Sequence, residues 1–515
     1  MSLAFATPDL EKFRAVIAAR FGLMFDESKL AFLANVLDRR TRANSTSTEA
    51  YLARLDSAAP STDELRELAQ ELTVGETYFF RHYDQFQAFL EVALPDRLRA
   101  RSGARKLNLL SAGCASGDEP YSMAILLRER ALEPGWTVAI HGIDVNPAIL
   151  ARAARGRYSS WSLRETPPYL QQRWFETSGR EFVLNDSIRN AVTFHEKNLL
   201  DDDLPLWRYG SYDVVFCRNV IMYLTPEKAQ GVVDRITRAL APGGYLFLGH
   251  AETLRGLSHD YHLRHTHRTF YYQRKESERA AIAGVTREDS PDAAPARAPL
   301  DGEWATSWVE TVQRAADRIK SLTEKTAEPP PPARSGASAA SAGDGSTASP
   351  DLTVAIELLR EERFSEALDL LGRLPSGSTR DPDVALLRAT LLTHGGRLLE
   401  AERVCAELIA IDELNAGAHY LLALCREGNG DRQSAADHDQ IAAHLDPGFA
   451  MPRLHLGLMA RRTGDRDTAL RELGQAVVLL QREDASRLLL FGGGFGRDSL
   501  MALCRAELGR LGEKP

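Results

Sequence analysis

The stretch SAGCASGDEPYS at residues 111–122 decides the fold of the first half of the chain. It follows the apolar run LNLL at residues 107–110 and leads into MAILLRER, whose apolar residues have helical spacing. This order predicts a buried strand, a glycine turn and a helix. Neither phosphate-binding loop fits, because two acids follow Gly117 where a P-loop has Lys, and Pro120 stands where a dinucleotide fingerprint has a further glycine. The turn therefore predicts close backbone approach to a ligand with little negative charge, and an ordinary strand-to-helix turn is the alternative.

Strands alternate with helices after about residue 106, whereas residues 9–72 read as helical throughout. This alternation is typical of a doubly wound parallel sheet, with a ligand at the carboxyl ends of its strands. The apolar strand candidates are LNLLSAG at 107–113, VAIHGIDV at 138–145, YDVVFCRNV at 212–220 and GGYLFLGHAE at 243–252.

Asp144 closes the second of these strands and indicates the ligand class. An acid at that place can accept hydrogen bonds from both ribose hydroxyls. Because the glycine turn lacks phosphate-binding features, the pair favours an adenosine ligand without a pyrophosphate, and S-adenosylmethionine fits. The segment ALAPGGYLFLG at 239–249 resembles the fifth-strand region of class I methyltransferases.

Finer motifs narrow the family. ELTVGETYFFRHYDQF at 71–86, SAGCASGDEPYSMA at 111–124, FHEKNLL at 194–200, FCRNVIMYL at 216–224 and the terminal strand FYYQRK at 270–275 stand in this order. Together they resemble the chemotaxis receptor methyltransferases of the CheR family over residues 10–275. The resemblance implies a class I, Rossmann-like enzyme that uses S-adenosylmethionine to form methyl esters on glutamate side chains of a chemoreceptor's cytoplasmic helical bundle.

The resemblance also assigns site residues. It implies Arg81 and Arg218 as groups that orient a carboxylate, of the cofactor or of the substrate, and Tyr223 at the mouth where the substrate enters. Around the cofactor it implies Thr77, Arg81, Glu119, Asp144, Asn198, Leu199, Arg218 and Asn219, with Gly113 and Gly117 in the turn. Asp118 is expected to cap a helix that begins at Pro120. No metal is expected.

Each role has a structural alternative that the sequence leaves open. Arg81 could extend over a core edge, Asn198 could be a turn residue, Asn219 a helix cap and Tyr223 a core residue. The family also has Asn two residues before Thr77, where this chain has Gly75. Loss of that amide weakens a hydrogen bond worth on the order of 1 kcal/mol, unless water replaces it.

The reaction explains why no catalytic triad is expected. A glutamate carboxylate has a pKa near 4.3 and is already ionised at neutral pH, so it needs no general base. The enzyme's task is alignment of the reacting atoms, for which proximity can supply about 7–11 kcal/mol.

Residues 156–197 resemble the small antiparallel β-subdomain that the family inserts beside its active site. Some members use it to bind a pentapeptide tether on the receptor. The hairpin ETSGREF at 176–182 is short, so we expect no tether here and recruitment by the C-terminal domain instead.

The second half of the chain carries an internal repeat. Small residues recur every 34 residues, the period of tetratricopeptide repeats (TPRs), and predict about four antiparallel helix pairs and a closing helix after residue 486. Such α-solenoids present a concave face to a protein or peptide partner. The repeated positions are Ala367, Ala401, Ala435 and Ala469, then Ala355, Ala389, Ala423 and Gly457, with Gly396, Gly430 and Gly464 in turns.

These observations divide the chain into four parts. We expect an N-terminal helical subdomain at 1–88, a methyltransferase domain at 89–275, a disordered linker at 276–350 and a TPR domain at 351–515. The linker is rich in Ala, Pro, Ser and Gly and cannot bury a core, apart from a possible docking helix at 303–323.

Composition and charge limit the cellular setting. The 515 residues have a net charge of −8 and a pI near 6.0, which gives no overall reason to expect nucleic-acid binding. The five cysteines are scattered and form no disulfide framework. No apolar run approaches the roughly 18 residues of a membrane span. We expect a cytoplasmic protein that is recruited to receptor arrays without membrane insertion.

Two alternative functions remain open at this stage. One is a scaffold that senses S-adenosylmethionine with weak or no activity and assembles partners through its TPRs. The other is a methyltransferase for a small carboxylate, which leaves the repeats unexplained.

Overall fold

The computed structural model describes residues 7–73, 75–276, 352–374 and 381–512, which belong to two compact units divided at residue 300. The sequence prediction of a docking helix at 303–323 falls outside the described residues, as does nearly all of the predicted linker. None of the described helices is long and apolar enough to cross a membrane.

Four helices open the first unit and share a core of their own. Ser47 and Ser61 begin two of them by accepting a hydrogen bond from the backbone N–H three residues on. An ion pair joins α2 to α4 beside this core, with the Arg40 guanidinium 2.6 Å from the Glu64 carboxylate. The helices are α1 Thr7–Phe21, α2 Leu30–Ala43, α3 Thr48–Asp56 and α4 Thr62–Leu72.

A seven-stranded sheet forms the centre of the unit and confirms the predicted Rossmann-like class. Its strands are β1 Lys106–Ala112, β2 Thr137–Asp144, β6 Val192–Glu196, β7 Tyr212–Cys217, β8 Leu240–Leu248, β9 Tyr261–Thr266 and β10 Thr269–Arg274. Their order is β6-β2-β1-β7-β8-β10-β9. In this order the first five strands run parallel to one another. Strand β10 pairs antiparallel with both of its neighbours, β8 and β9. The strand order reverses between β1 and β7, which is where a ligand is expected.

Helices α5 Tyr83–Ala88 and α6 Leu94–Ala100 precede β1. Helix α7 Asp118–Arg130 connects β1 to β2, and α8 Pro147–Arg155 follows β2. A 3-10 turn at Ile221–Tyr223 and helix α11 Pro226–Ala239 connect β7 to β8. Every residue of β7 is buried, as expected for a central strand of a parallel sheet covered on both faces.

A second, three-stranded antiparallel sheet lies in the segment after α8. It consists of β3 Arg157–Tyr158, β4 Phe175–Ser178 and β5 Glu181–Leu184, with helices α9 Pro168–Trp174 and α10 Asp186–Arg189 around it. Two residues turn the β4–β5 hairpin, as the sequence indicates. Strand β6, however, pairs with β2 in the large sheet, so the small sheet ends earlier than residue 197.

The second unit is a series of helix pairs that confirms the predicted repeats. The pairs are α12 Leu352–Arg360 with α13 Phe364–Gly372, α14 Pro382–His394 with α15 Leu398–Ile411, α16 Ala416–Gly428 with α17 Arg432–Leu445, and α18 Ala450–Thr463 with α19 Arg466–Leu480. Two helices follow rather than one, α20 Ala485–Phe491 and α21 Arg497–Gly512.

The repeated small residues lie where helices meet. Ala367, Ala401, Ala435 and Ala469 are fully buried. A Cβ on Gly457 would stand 2.6 Å from Leu473 Cγ, so α18 and α19 approach too closely there for a larger residue.

Candidate functional site

The glycines of the turn after β1 are required by the protein's own packing. Gly113 has φ +75°, and a Cβ there would lie 2.5 Å from Val220 Cγ2. Gly117 has φ +83°, and its Cβ would lie 2.8 Å from the Phe194 ring and 2.9 Å from Ala153 Cβ. From sequence alone, both glycines are expected to allow close approach of a ligand. The left-handed backbone and the neighbouring side chains explain them without a ligand.

The prediction for Asp118 is wrong. Helix α7 begins at Asp118 itself, and Gly117 is the residue before its first turn, without a side-chain cap. Asp118 is fully buried, and its Oδ2 accepts a hydrogen bond from Ser116 Oγ at 2.6 Å. Burial raises the pKa of Asp118 to about 6.

Asp144 lies at the carboxyl end of β2, as predicted, and joins two loops. Its Oδ2 accepts a hydrogen bond from Ala115 N at 2.9 Å, in the turn after β1, and its Oδ1 accepts one from Asn146 N at 2.9 Å. Burial raises the pKa of this carboxyl, and the two backbone N–H groups oppose that rise. Each oxygen keeps lone-pair capacity for a further donor, as a ribose diol would need.

Glu119 and Arg218 form a buried ion pair. Arg218 Nε lies 2.5 Å from Glu119 Oε2, and each residue is only 7% exposed. Glu119 Oε1 also accepts a hydrogen bond from Ser111 Oγ at 2.7 Å. Arg218 Nη1 donates to the Arg81 carbonyl at 2.6 Å and to Gln85 Oε1 at 3.0 Å. The carboxylate that Arg218 orients in the structure is therefore Glu119, and the arginine braces the segment that carries Arg81.

Arg81 itself is far less engaged than Arg218. Its guanidinium lies 5.7 Å from the Tyr78 ring centroid and makes one long contact, 3.5 Å, to the Glu76 carbonyl. No carboxylate pairs with it within the described part of the chain. Its neighbours Phe80 and His82 both have positive φ, near +57° and +58°, a strain that often accompanies functional segments.

Asn198 contacts the protein rather than open space. Its Nδ2 donates to the Arg20 carbonyl at 3.0 Å, at the end of α1, and its Oδ1 accepts from Leu200 N at 3.1 Å. These bonds match the structural alternative for Asn198, a turn residue after a strand, and also tie the N-terminal helices to β6. Leu199 and Thr77 are half-buried in their loops.

The loop after β7 carries the remaining predicted residues. Asn219 has φ +58°, and its Oδ1 is buried without a hydrogen-bond partner among the residues that the structure describes. An orphaned buried acceptor of this kind fits a ligand donor. Tyr223 is 46% exposed beside Met222, so it is a surface residue and not a core residue.

Two buried polar residues that the sequence argument did not select organise this site. Glu252 is 4% exposed, and its carboxylate accepts four backbone N–H groups, from Asn219 at 2.6 Å, Gly249 at 2.7 Å, Val220 at 2.9 Å and Met222 at 3.2 Å. Gln85 is 1% exposed and bonds Arg218 on one side and the Leu248 carbonyl on the other. The sequence gives no signal that marks either residue, since each stands beside another polar residue, Asp84 and Thr253 respectively.

Gly75 faces α8. A Cβ at this position would stand 1.9 Å from Ile149 Cδ1, so the isoleucine side chain occupies the space that the family's asparagine would need. An amide at residue 75 therefore requires Ile149 to move.

The cysteines lie buried as free thiols. All five cysteines are buried, and burial raises the pKa of Cys114 and Cys217 well above the usual range. Within the described ranges, no group of three or more His, Cys, Asp or Glu side chains is placed to hold a metal ion.

Comparisons with known proteins show which family the chain resembles. The family model described as CheR methyltransferase, SAM binding domain matches residues 75–270. Chemotaxis protein methyltransferase 2 of Vibrio cholerae is 33% identical over 270 residues, which are 52% of this chain and 92% of that protein. The probable biofilm formation methyltransferase WspC of Pseudomonas putida is 28% identical over 456 residues, 88% of this chain and 95% of that protein.

A solved TPR protein of Thermus thermophilus is 21% identical to the chain, covering 31% of this chain and 89% of its own, with a TM-score of 0.24. The repeat assignment rests on the helices and period of the chain itself.

Proposed function

Because this chain belongs to the CheR family of S-adenosylmethionine-dependent methyltransferases, we propose that it esterifies glutamate side chains on the cytoplasmic part of a chemoreceptor. The observation that carries the proposal is Arg81, a half-buried cation that pairs with no carboxylate in the described chain and whose carbonyl is held by Arg218, the partner of Glu119. An anionic substrate such as glutamate supplies the missing partner.

The residues present fit the cofactor. Asp144 offers carboxylate oxygens at the end of β2 for a ribose, and the orphaned Asn219 Oδ1 offers an acceptor for a further donor. Glu119, whose charge is balanced by Arg218, is a polar part of the proposed lining. Thr77, Leu199 and the turn from Gly113 to Gly117 complete the proposed lining. When bound, S-adenosylmethionine supplies an electrophilic methyl group.

The chain's own residues then position the acceptor. Arg81 holds one oxygen of the glutamate carboxylate, so that the other oxygen is free to attack, and no residue needs to remove a proton. Arg218, held by Glu119, keeps the Arg81 backbone in place. Tyr223 lies at the exposed rim of the site and orients the incoming side chain.

The repeat unit has the role of recruiting the receptor or a partner protein. Solenoids of paired helices present an extended surface to peptides and proteins and carry no chemistry of their own. In this proposal the enzyme works in the cytoplasm at receptor arrays. A chain that ends at residue 275 should retain its kcat and show a raised KM for the receptor.

A second candidate function is supported by the packing of Gly75. Ile149 fills the space that the family's asparagine would need at residue 75, so the cofactor lacks the contact that this amide makes in the family. Loss of a cofactor contact is what a scaffold that only senses the cofactor would show. Calorimetry that finds cofactor binding together with no turnover on any receptor would favour the scaffold.

The test uses the full chain, radiolabelled S-adenosylmethionine and purified receptor cytoplasmic fragments. We expect label that alkali releases as methanol, since methyl esters are base-labile, and we expect Arg81→Ala to abolish it. Alkali-stable label would indicate N-methylation and contradict the proposal. Arg180→Ala, in the β4–β5 turn, is a matched arginine control that should leave transfer unchanged.

A further inference from the structure

The turn after β8, residues Gly249–Glu252, touches both loops that carry the proposed site residues. We infer that this turn sets their positions and that Glu252 is a positioning residue for Asn219 and Tyr223. The inference rests on the proposed function for its chemistry, but its structural part concerns cofactor binding alone.

Glu252 closes a nest of backbone N–H groups. Three of its four donors, Asn219, Val220 and Met222, belong to the loop after β7, and the fourth is Gly249 in its own turn. Converging N–H groups of this kind form an anion site. Here the chain provides the anion itself, so the loop is fixed before any ligand arrives.

Gly249 makes the close approach possible. A Cβ at this position would lie 2.8 Å from Asn219 Nδ2, 2.8 Å from Glu252 Oε2 and 3.0 Å from Asn219 N. The turn and the loop are therefore in direct contact, and any larger residue would push Asn219 out of its place.

The same turn reaches the segment of Arg81. The His250 ring stacks on the His82 ring, with centroids 3.9 Å apart and planes inclined by 23°. His82 follows Arg81 directly. Gln85 Nε2 donates to the Leu248 carbonyl at 2.7 Å, just before the turn. One turn thus holds the segment of Arg81 by stacking and the loop of Asn219 and Tyr223 by hydrogen bonds.

Substitution of Glu252 distinguishes a role in positioning the site residues from a contribution to folding stability alone. In Glu252→Gln the amide NH₂ faces N–H donors, so the nest loses acceptors and the loop shifts. Displacement of reacting groups by about 1 Å costs on the order of 100-fold in rate. Glu252→Asp keeps the carboxylate and should recover part of the loss.

The experiment measures binding of S-adenosylhomocysteine by calorimetry, turnover on a receptor fragment, and the unfolding midpoint. We expect Glu252→Gln to weaken binding about 10-fold and lower kcat about 100-fold, with Glu252→Asp in between. The matched control is Asp213→Asn, which removes a buried carboxylate at the other end of β7, where Asp213 accepts hydrogen bonds from Arg101 at 2.6 Å and Asn108 N at 3.1 Å. Thr237→Val, which removes a buried hydroxyl from α11, is a milder control.

Both controls should lower the unfolding midpoint and change binding less than 2-fold. Equal losses of binding in Glu252→Gln and the controls would overturn the inference, as would unchanged binding in Glu252→Gln. If the wild-type chain binds the product but methylates no receptor, the proposed function fails. The binding difference between Glu252→Gln and the controls still decides the role of Glu252.

Discussion

Removal of the two arginine side chains of the site should cost very different amounts of stability. Arg218 has a side chain that is 3% exposed, and it makes three short hydrogen bonds, to Glu119, Gln85 and the Arg81 carbonyl. Arg218→Ala leaves the Glu119 carboxylate buried and unpaired, which typically costs about 3–5 kcal/mol of unfolding free energy. Arg81 has one long contact, so Arg81→Ala should cost less than about 1 kcal/mol.

Urea denaturation followed by tryptophan fluorescence measures this difference. All six tryptophans lie before residue 309, four of them in the described part of the first unit and none in the repeats. Replacement of Trp304 and Trp308, which lie beyond residue 300, by Phe makes the signal specific to the first unit. Turnover should fall in both variants, in Arg81→Ala without loss of stability.

Replacement of both members of the ion pair provides the control. Arg218→Met with Glu119→Gln removes the unpaired charge and should recover much of the stability that Arg218→Ala loses. The reasoning is refuted if Arg81→Ala destabilises the unit as much as Arg218→Ala does, or if Arg218→Ala costs less than about 1 kcal/mol.

Three further predictions follow from single contacts. Asp144→Ala should weaken S-adenosylhomocysteine binding at least 10-fold by calorimetry, because each lost hydrogen bond to a charged acceptor is worth about 1.5–3 kcal/mol; unchanged affinity would mean that Asp144 does not hold the ligand. Gly457→Ala should destabilise the repeats by about 1–3 kcal/mol, seen in circular dichroism while tryptophan fluorescence is unaffected, because its Cβ would meet Leu473. Burial lowers the pKa of His455, but the ion pairs with Asp439 and Glu427 raise it to about 9, so its stabilisation is complete below about pH 6.5 and is lost as pH rises through 9. The free energy of unfolding of the repeats should therefore fall by about 3 kcal/mol over this pH range, and this fall should be absent in His455→Gln. Parallel curves of unfolding free energy against pH for the two proteins would contradict the prediction.

The sequence predicts those parts of the fold that depend on local pattern. Strand β7 was predictable because the apolar residues Val214–Cys217 follow one another without interruption after Asp213. The repeats were predictable because each unit carries the same period. Beyond residue 486 the period stops, and the second closing helix was not predicted for that reason. The sequence prediction starts α7 two residues late, at Pro120 rather than Asp118. The packing of Phe194 and Ala153 against Gly117, the residue before the helix, involves residues distant in the chain and is not visible in the local sequence.

In the candidate site too, positions set by local sequence were predictable, whereas contacts between residues distant in the chain were not. The position of Asp144 follows from the end of its strand. The partner of Arg218 does not follow from sequence, because Glu119 is 99 residues away and only the sheet order brings β1 beside β7. The family resemblance named both residues without their pairing. Glu252 was missed because its four donors converge only after the β7 and β8 loops have met.

Peptide mapping of a receptor fragment after incubation with the full chain and S-adenosylmethionine tests the central claim most directly. We predict alkali-labile methyl esters on glutamate side chains, present with the wild-type chain and absent with Arg81→Ala. Methylation on nitrogen, or no modification of any receptor by a chain that binds the cofactor, would contradict the account.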